Sequence, residues 1–243
     1  MPLKSRAKAL IGRMVPTDFA EKIAEYSIAQ QQASISLEGA TPIVMPGSSF
    51  DDLVERGREE LWRRALGKIG AQDILFLEFG VWKGYSIRFF MGLNTSPRSR
   101  FYGFDSFSGL PEYWRGMEAG HFSTEGQVPQ IDDPRVEFVK GWFQDTLPLY
   151  LDRLEAEAEG RALLVHFDAD LYSSTLYLLC TLTQRFKSFY CVFDEFSGHE
   201  MRALYNFMQA FGAECEFYSY VPWRGDPTTL FAKLTMPTPK GPS

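Results

Sequence analysis

Five short, almost uninterrupted apolar runs constrain this chain more than any other feature: ILFLEF (74–79), FYGF (101–104), VEFVKG (136–141), ALLVHF (162–167) and FYCVF (189–193). Each ends in polar or glycine residues, as strands covered on both faces do, and their alternation with helical segments is the pattern of parallel βαβ units. Between the last two runs, Leu179, Leu182 and Phe186 recur at helical spacing and predict a crossover helix. A further helix is expected around Met201 to Phe211. Two more strands, ECEFYSY and TTLFAKL, are joined by a segment holding Pro222, Gly225 and Pro227, which suits an antiparallel hairpin. The spacing predicts an α/β fold: a doubly wound, mostly parallel seven-stranded sheet with a C-terminal antiparallel hairpin.

With 243 residues, 45% of them hydrophobic, the chain can bury one large core. We read an N-terminal helical extension over 1–70, a ligand-binding domain over 71–236 and a disordered tail over 237–243. In the extension, Thr17 can cap a helix carrying Phe19, Ile23 and Tyr26 at helical spacing. The stretch EGATPIVMPGSS breaks that pattern. A second helix is predicted from Asp51 to Lys68, with Val54, Leu61, Trp62 and Leu66 on its apolar side and Gly57 weakening it.

The net charge of -6 argues against gripping a phosphate backbone, which needs a concentrated positive field, and points to a small substrate rather than nucleic acid. The cysteines, Cys180, Cys191 and Cys215, are odd in number and lack a C-x-x-C spacing. Neither a disulfide framework nor a thiolate zinc site is indicated, and reduced thiols in the cytoplasm fit best. No run reaches the roughly 18 apolar residues of a membrane span. The basic start, KSRAKALIGRMVP, lacks the continuous apolar core and cleavage site of a targeting signal and is expected to be a solvated helix.

The chemistry is expected at the strand ends, where open parallel sheets bind ligands. The first strand runs into EFGVWKGYS (78–86), which places Gly80 and Gly84 on the ligand side. A dinucleotide fingerprint would need glycine where Trp82 and Tyr85 stand, so passage of a pyrophosphate is blocked and an adenosyl cofactor stays compatible. Asp105 ends the second strand, where a carboxylate can accept hydrogen bonds from ribose hydroxyls or cap the next turn. After the third strand, Trp142 and Phe143 offer flat apolar faces and Gln144 an amide, suited to an adenine ring or to ordinary packing at the sheet edge.

The fourth and fifth strands end in HFDADLYSST and FDEFSG, bringing Asp168, Asp170, Asp194 and Glu195 towards one place. Carboxylates in a partly buried cleft repel one another and need a positive partner: a divalent cation, the sulfonium of a methyl donor, or a cationic substrate. The segment from Ser106 to Pro134 is long, lacks periodicity and carries Tyr113, Trp114 and Phe122, which favours a lid or binding loop. His166 lies among apolar neighbours within a strand and reads as a core residue. His121 sits in the long loop, and His199 follows FDEFSG at an expected helix start, where it can face the substrate or merely cap the helix.

In this order, EFGVWKG, FDSFSGLP, GWFQDTLP and DADLYSST resemble the macrocin O-methyltransferase family, over about residues 72 to 200. The resemblance implies a Rossmann-like class I methyltransferase sheet with S-adenosylmethionine as cofactor and a hydroxyl of a sugar or natural-product scaffold as acceptor. It places the cofactor along Glu78, Gly80, Val81, Trp82, Gly84, Ser86, Asp105, Ser106, Gly141, Trp142, Phe143, Gln144 and Asp168. It further implies magnesium held by Asp168, Asp194 and Glu195, with Asp170 as base; His199, from its own place after FDEFSG, is a second catalytic candidate. The family pattern has an Asp-Asp pair where this chain has Asp194-Glu195, and the longer side chain fits near-octahedral magnesium less well. Two alternatives follow: a metal-independent N-methyltransferase, or a non-catalytic domain binding an adenosyl ligand. Family habit suggests a homodimer.

Overall fold

The computed structural model describes residues 35–46, 50–223 and 226–238. The helix expected after Pro16, the basic start and most of the tail lie outside these residues. Among the described residues no helix is long and apolar enough to cross a membrane.

One sheet carries eight strands: β1 (Thr41–Pro42), β2 (Ile74–Phe79), β3 (Arg100–Asp105), β4 (Val136–Lys140), β5 (Ala162–Phe167), β6 (Ser188–Phe193), β7 (Glu214–Trp223) and β8 (Asp226–Thr235), in spatial order β1-β7-β8-β6-β5-β2-β3-β4. All pairs from β4 to β6 are parallel, while β8 runs antiparallel to both β6 and β7. The expectation of seven strands is corrected by β1, two residues inside the Gly/Pro/Ser-rich stretch that pair in parallel with Ser219 and Tyr220 of β7. So short a strand leaves no periodicity to read. The hairpin strands also run further than expected, pairing Pro222 with Pro227 after an irregularity at Val221.

Among the described residues five α-helices join the strands: α1 (Phe50–Ile69), α2 (Tyr85–Leu93), α3 (Phe143–Ala158), α4 (Tyr172–Leu182) and α5 (Met201–Phe211), the last preceded by a π-helical turn, Phe196–Glu200. Side chains alternate across each strand, so Ile74 and Phe76 of β2 share a face with Leu164 and Val192. That face is covered by Leu61, Trp62 and Ala65 of α1 and by Ile87 and Phe90 of α2, all with no exposed surface. Burial of side chains of this size is worth roughly 1.5–3 kcal/mol each, enough to offset the cost of about 1 kcal/mol for a glycine within a helix. Gly57 also has a structural use: a Cβ there would lie 2.7 Å from Val221 Cγ1, so its absence lets α1 lie against β7. On the opposite face, α3 packs on β2 and β3 through Leu147, Leu151 and Leu154, spaced one turn apart.

The strand order reverses between β2 and β5, which opens a crevice at their carboxyl ends. Gly80 follows β2 at φ 95°, and a Cβ there would fall 1.8 Å from the carbonyl oxygen of Asp168 after β5. The glycine is required because the chain's own backbone fills the space a side chain would take.

Candidate active site

The crevice holds a cavity of about 580 Å³. Its floor is the loops after β2, β3, β5 and β6, α1 contributes Arg58, and the long loop after β3 forms one wall with Gly109, Leu110, Pro111, Trp114 and Phe122. That loop has no regular element beyond a bridge between Trp114 and Met117, and Phe122 meets Trp82 edge-on at 5.9 Å. Tyr113 is exposed and does not line the cavity.

At one end lie Gly80, Val81, Trp82, Asp105, Ser106, Trp142, Phe143 and Gln144. Trp82 and Trp142 are 44% and 41% exposed, large apolar rings left open on a cavity wall. Trp142 caps the N-terminus of α3, and Trp82 is held at φ 50°, a conformation uncommon for a bulky residue. Asp105 sets that turn: its Oδ2 accepts from the backbone N–H groups of Val81 at 2.7 Å and Trp82 at 2.8 Å, and its Oδ1 from Phe107 N–H at 2.6 Å. The carboxylate therefore caps the turn and also lines the cavity. Only Oδ1 retains a lone pair for a ribose hydroxyl.

At the other end stand Asp168, Asp170, Asp194 and Glu195. Burial and the nearby Asp194 push Asp168 well above the usual carboxylate range. Asp170, at φ 60°, is pushed up to about 7 by burial and by the charges of Glu195 and Asp194. A non-glycine residue in this backbone region costs roughly 1–3 kcal/mol, a strain that collects where a side chain must be aimed. Glu195 is raised by burial and by Asp194, and its Oε2 lies 3.1 Å from Arg115 Nη1. Glu200, fully buried, accepts a hydrogen bond from Glu195 N–H at 3.2 Å, and burial, with the surrounding carboxylates, raises it well above its usual range.

Asp194 behaves oppositely. Burial would raise it, but Arg58 Nη1 lies 3.0 Å from its Oδ2 and protonated His166 stands behind its Oδ1, so it is held below its usual value. His166 is not surrounded by apolar groups alone, contrary to the expectation from its strand. Register pairs it with Glu78, whose Oε1 is 3.0 Å from Nδ1, while Nε2 faces Asp194 Oδ1 at 3.7 Å, an ion-pair distance rather than a hydrogen bond. Burial alone would lower His166, yet Asp194 and Glu78 outweigh it and raise it to about 10.

Several expected ligand contacts fall off the cavity. Glu78 is fully buried beneath it, receiving hydrogen bonds from Ser86 Oγ and His166, so both Glu78 and Ser86 serve the floor. Gly84 caps α2 beside Arg88 and Pro129, and Gly141 packs against Thr146. His199 is an exposed residue of the π-helical turn, outside the cavity lining, and burial and Arg115 lower it. Sequence reading missed Arg58, Arg115 and Glu200. Arg58 did carry a signal, standing one turn from both Val54 and Trp62 in the apolar stripe of α1.

The donors do not fit magnesium as they stand. Among the described residues no three His, Cys, Asp or Glu side chains come together as a group able to hold a metal ion. Asp194 has one oxygen on Arg58 and the other turned to His166, and Glu195 is paired with Arg115. The positive partners of Asp194 and Glu195 are Arg58, His166 and Arg115.

The family described as Macrocin-O-methyltransferase (TylF) matches residues 46–217. Among solved structures, the chain is similar to the O-methyltransferase NovP, with 21% identity, coverage of 75% of this chain and 80% of that one, and a TM-score of 0.51. It is also similar to the O-methyltransferase TomG from Streptomyces achromogenes, with 18% identity, 74% and 80% coverage and a TM-score of 0.46. An O-methyltransferase from Bacillus cereus shows 11% identity, 88% and 89% coverage and a TM-score of 0.44. No curated protein matches. The likeness to NovP, at this identity, shows the fold alone.

Proposed function

The chain belongs to the macrocin O-methyltransferase family of S-adenosylmethionine-dependent methyltransferases, and from that premise we propose that it methylates a hydroxyl of a small molecule, a sugar or natural-product scaffold. One observation carries the reading: a single cavity joins open aromatic faces and Asp105 at one end to Asp170, a carboxyl poised near neutrality, at the other. Trp82 and Trp142 would flank the adenosyl group, Oδ1 of Asp105 would accept from a ribose hydroxyl, and Gln144 offers an amide to the adenine edge. The donor supplies an electrophilic methyl on a sulfonium. The acceptor oxygen forms the new C–O bond as the C–S bond breaks, its electron pair returns to sulfur, and the hydroxyl proton passes to ionised Asp170. A base with a pKa near 7 is half ionised at neutral pH and still basic enough to take that proton.

No step in this reading passes through magnesium. A divalent cation would have to displace Arg58 from Asp194 and Arg115 from Glu195 before finding its oxygens. The amine-methylating alternative rests on surplus negative charge beside the acceptor, and Arg58 and Arg115 offset part of that charge at Asp194 and Glu195. Calorimetry with S-adenosylhomocysteine tests the donor end, and product formation across a panel of hydroxylated and amine acceptors tests the other. Product on amines and on no hydroxyl would replace the O-methyl reading. Donor binding with no product on any acceptor would favour a binding domain without turnover. A homodimer is the expected assembly, checked by light scattering.

A further inference from the structure

We propose that Arg58 takes the place a divalent cation would hold in the carboxylate cluster, so that this chain transfers methyl groups without a metal. The inference rests on the methyltransferase reading above and concerns how its acceptor end is charged. Four observations carry it. Asp194, only 4% exposed at its side chain, meets the Arg58 guanidinium at 3.0 Å through Oδ2, while its Oδ1 faces His166. The second carboxylate of the Asp-Glu pair, Glu195, is turned to Arg115 at 3.1 Å. Arg58 is built in rather than resting on the surface: it projects from the buried stripe of α1, one turn before Trp62, and lines the cavity. Finally, the Asp-Glu sequence places an extra methylene where near-octahedral magnesium is least tolerant of it.

These features explain one another. A magnesium ion needs oxygen lone pairs about 2.0–2.1 Å away, and Arg58 and Arg115 already hold one oxygen each of Asp194 and Glu195. A guanidinium on the same carboxylate would repel an incoming dication. It also presents fixed positive charge on the cavity wall, where a hydroxyl losing its proton needs it. Arg58 is thus a positioning residue. It orients Asp194, balances the charge that Asp168, Asp194 and Glu195 would otherwise share, and keeps Asp170 available to the acceptor proton.

Manganese titration followed by electron paramagnetic resonance, on the full chain with S-adenosylhomocysteine bound, decides between a guanidinium and a metal. The expected result is that Mn²⁺ keeps its aqueous spectrum at millimolar concentration and that EDTA leaves turnover unchanged. Bound Mn²⁺ in the wild type, lost in Asp194→Asn, would overturn the proposal. Arg58→Met is expected to lower kcat by about 100-fold while S-adenosylhomocysteine affinity holds, and Arg58→Lys to recover most of that loss without metal. Wild-type turnover in Arg58→Met would overturn the positioning role. Should the Met variant fail to fold, the Lys variant stands in, and stimulation of its turnover by magnesium would count against the proposal. Failure of the wild type to bind S-adenosylhomocysteine would instead remove the methyltransferase reading itself, whatever the manganese result.

Discussion

The two ends of the cavity are built in different ways. The aromatic end comes from three short segments, Gly80 to Trp82, Asp105 with Ser106, and Trp142 to Gln144, each at the carboxyl end of one strand. The carboxylate end draws on the turns after β5 and β6, but its balance comes from Arg58 on α1 and Arg115 in the long loop, 136 and 80 positions from their partners Asp194 and Glu195. Backbone amides fix the first end through Asp105, whereas ion pairs between distant elements fix the second. Altering a group at the aromatic end should therefore change affinity for the donor. At the carboxylate end it should change turnover and the response to pH.

The largest expected effect tests that division directly. Asp170→Asn should lower kcat by about 10² to 10⁴ while S-adenosylhomocysteine affinity stays within error, since asparagine tolerates the same backbone conformation and loses only the basic oxygen. In the wild type, turnover should fall about tenfold per pH unit below about 7, because protonation removes the base, and that limb should vanish in the variant. A variant that weakens donor binding instead of turnover would break the comparison.

A smaller effect is expected in stability. His166 has a folded pKa of about 10 against an ordinary value of 6.5, so its contribution is fully present below about pH 6.5 and is lost as pH rises towards 10. Across that window the native state holds a proton the unfolded chain has released. The free energy of unfolding should then decline by up to about 1.4 kcal/mol per pH unit. Urea denaturation at several pH values measures the slope, and His166→Gln should flatten it. An equally steep slope in that variant would assign the effect to other groups.

How much of this was legible in the sequence follows the same division. The central strands announced themselves because both their faces are buried, so continuous apolar runs such as ILFLEF had no competing reading. Of the strands, β1 alone escaped, being two residues long with Thr41 and Pro42 exposed. Motif residues next to strand ends could be placed near a ligand. Whether a given side chain points into the cavity depends on the pleat, and that is why Glu78 turned out to lie under the floor, against His166. Charge neutralisation was the least legible. The sequence showed that the carboxylates needed a cation, yet nothing local says that α1 lies across the sheet with Arg58 aimed at Asp194. The clue was an arginine in an apolar stripe, which becomes readable only once the partner of that stripe is known.

The smallest effect belongs to the aromatic end and sharpens the contrast within it. Trp142 is 41% exposed and caps α3 without a side-chain hydrogen bond, so the fold gains little from its ring. Trp142→Leu should therefore leave the melting temperature nearly unchanged and weaken S-adenosylhomocysteine binding by about tenfold, the loss of one aromatic stacking partner. Asp105→Asn at the same end should behave differently. Its carboxylate holds three backbone N–H groups, and an amide supplies a single acceptor oxygen, so the turn at Val81 and Trp82 should loosen and stability and affinity should fall together. Calorimetry and thermal melts on the two variants separate a residue that only touches the donor from one that also shapes its site. If Trp142→Leu bound the donor as tightly as the wild type, the adenosyl group would have to lie against Trp82, on the other wall.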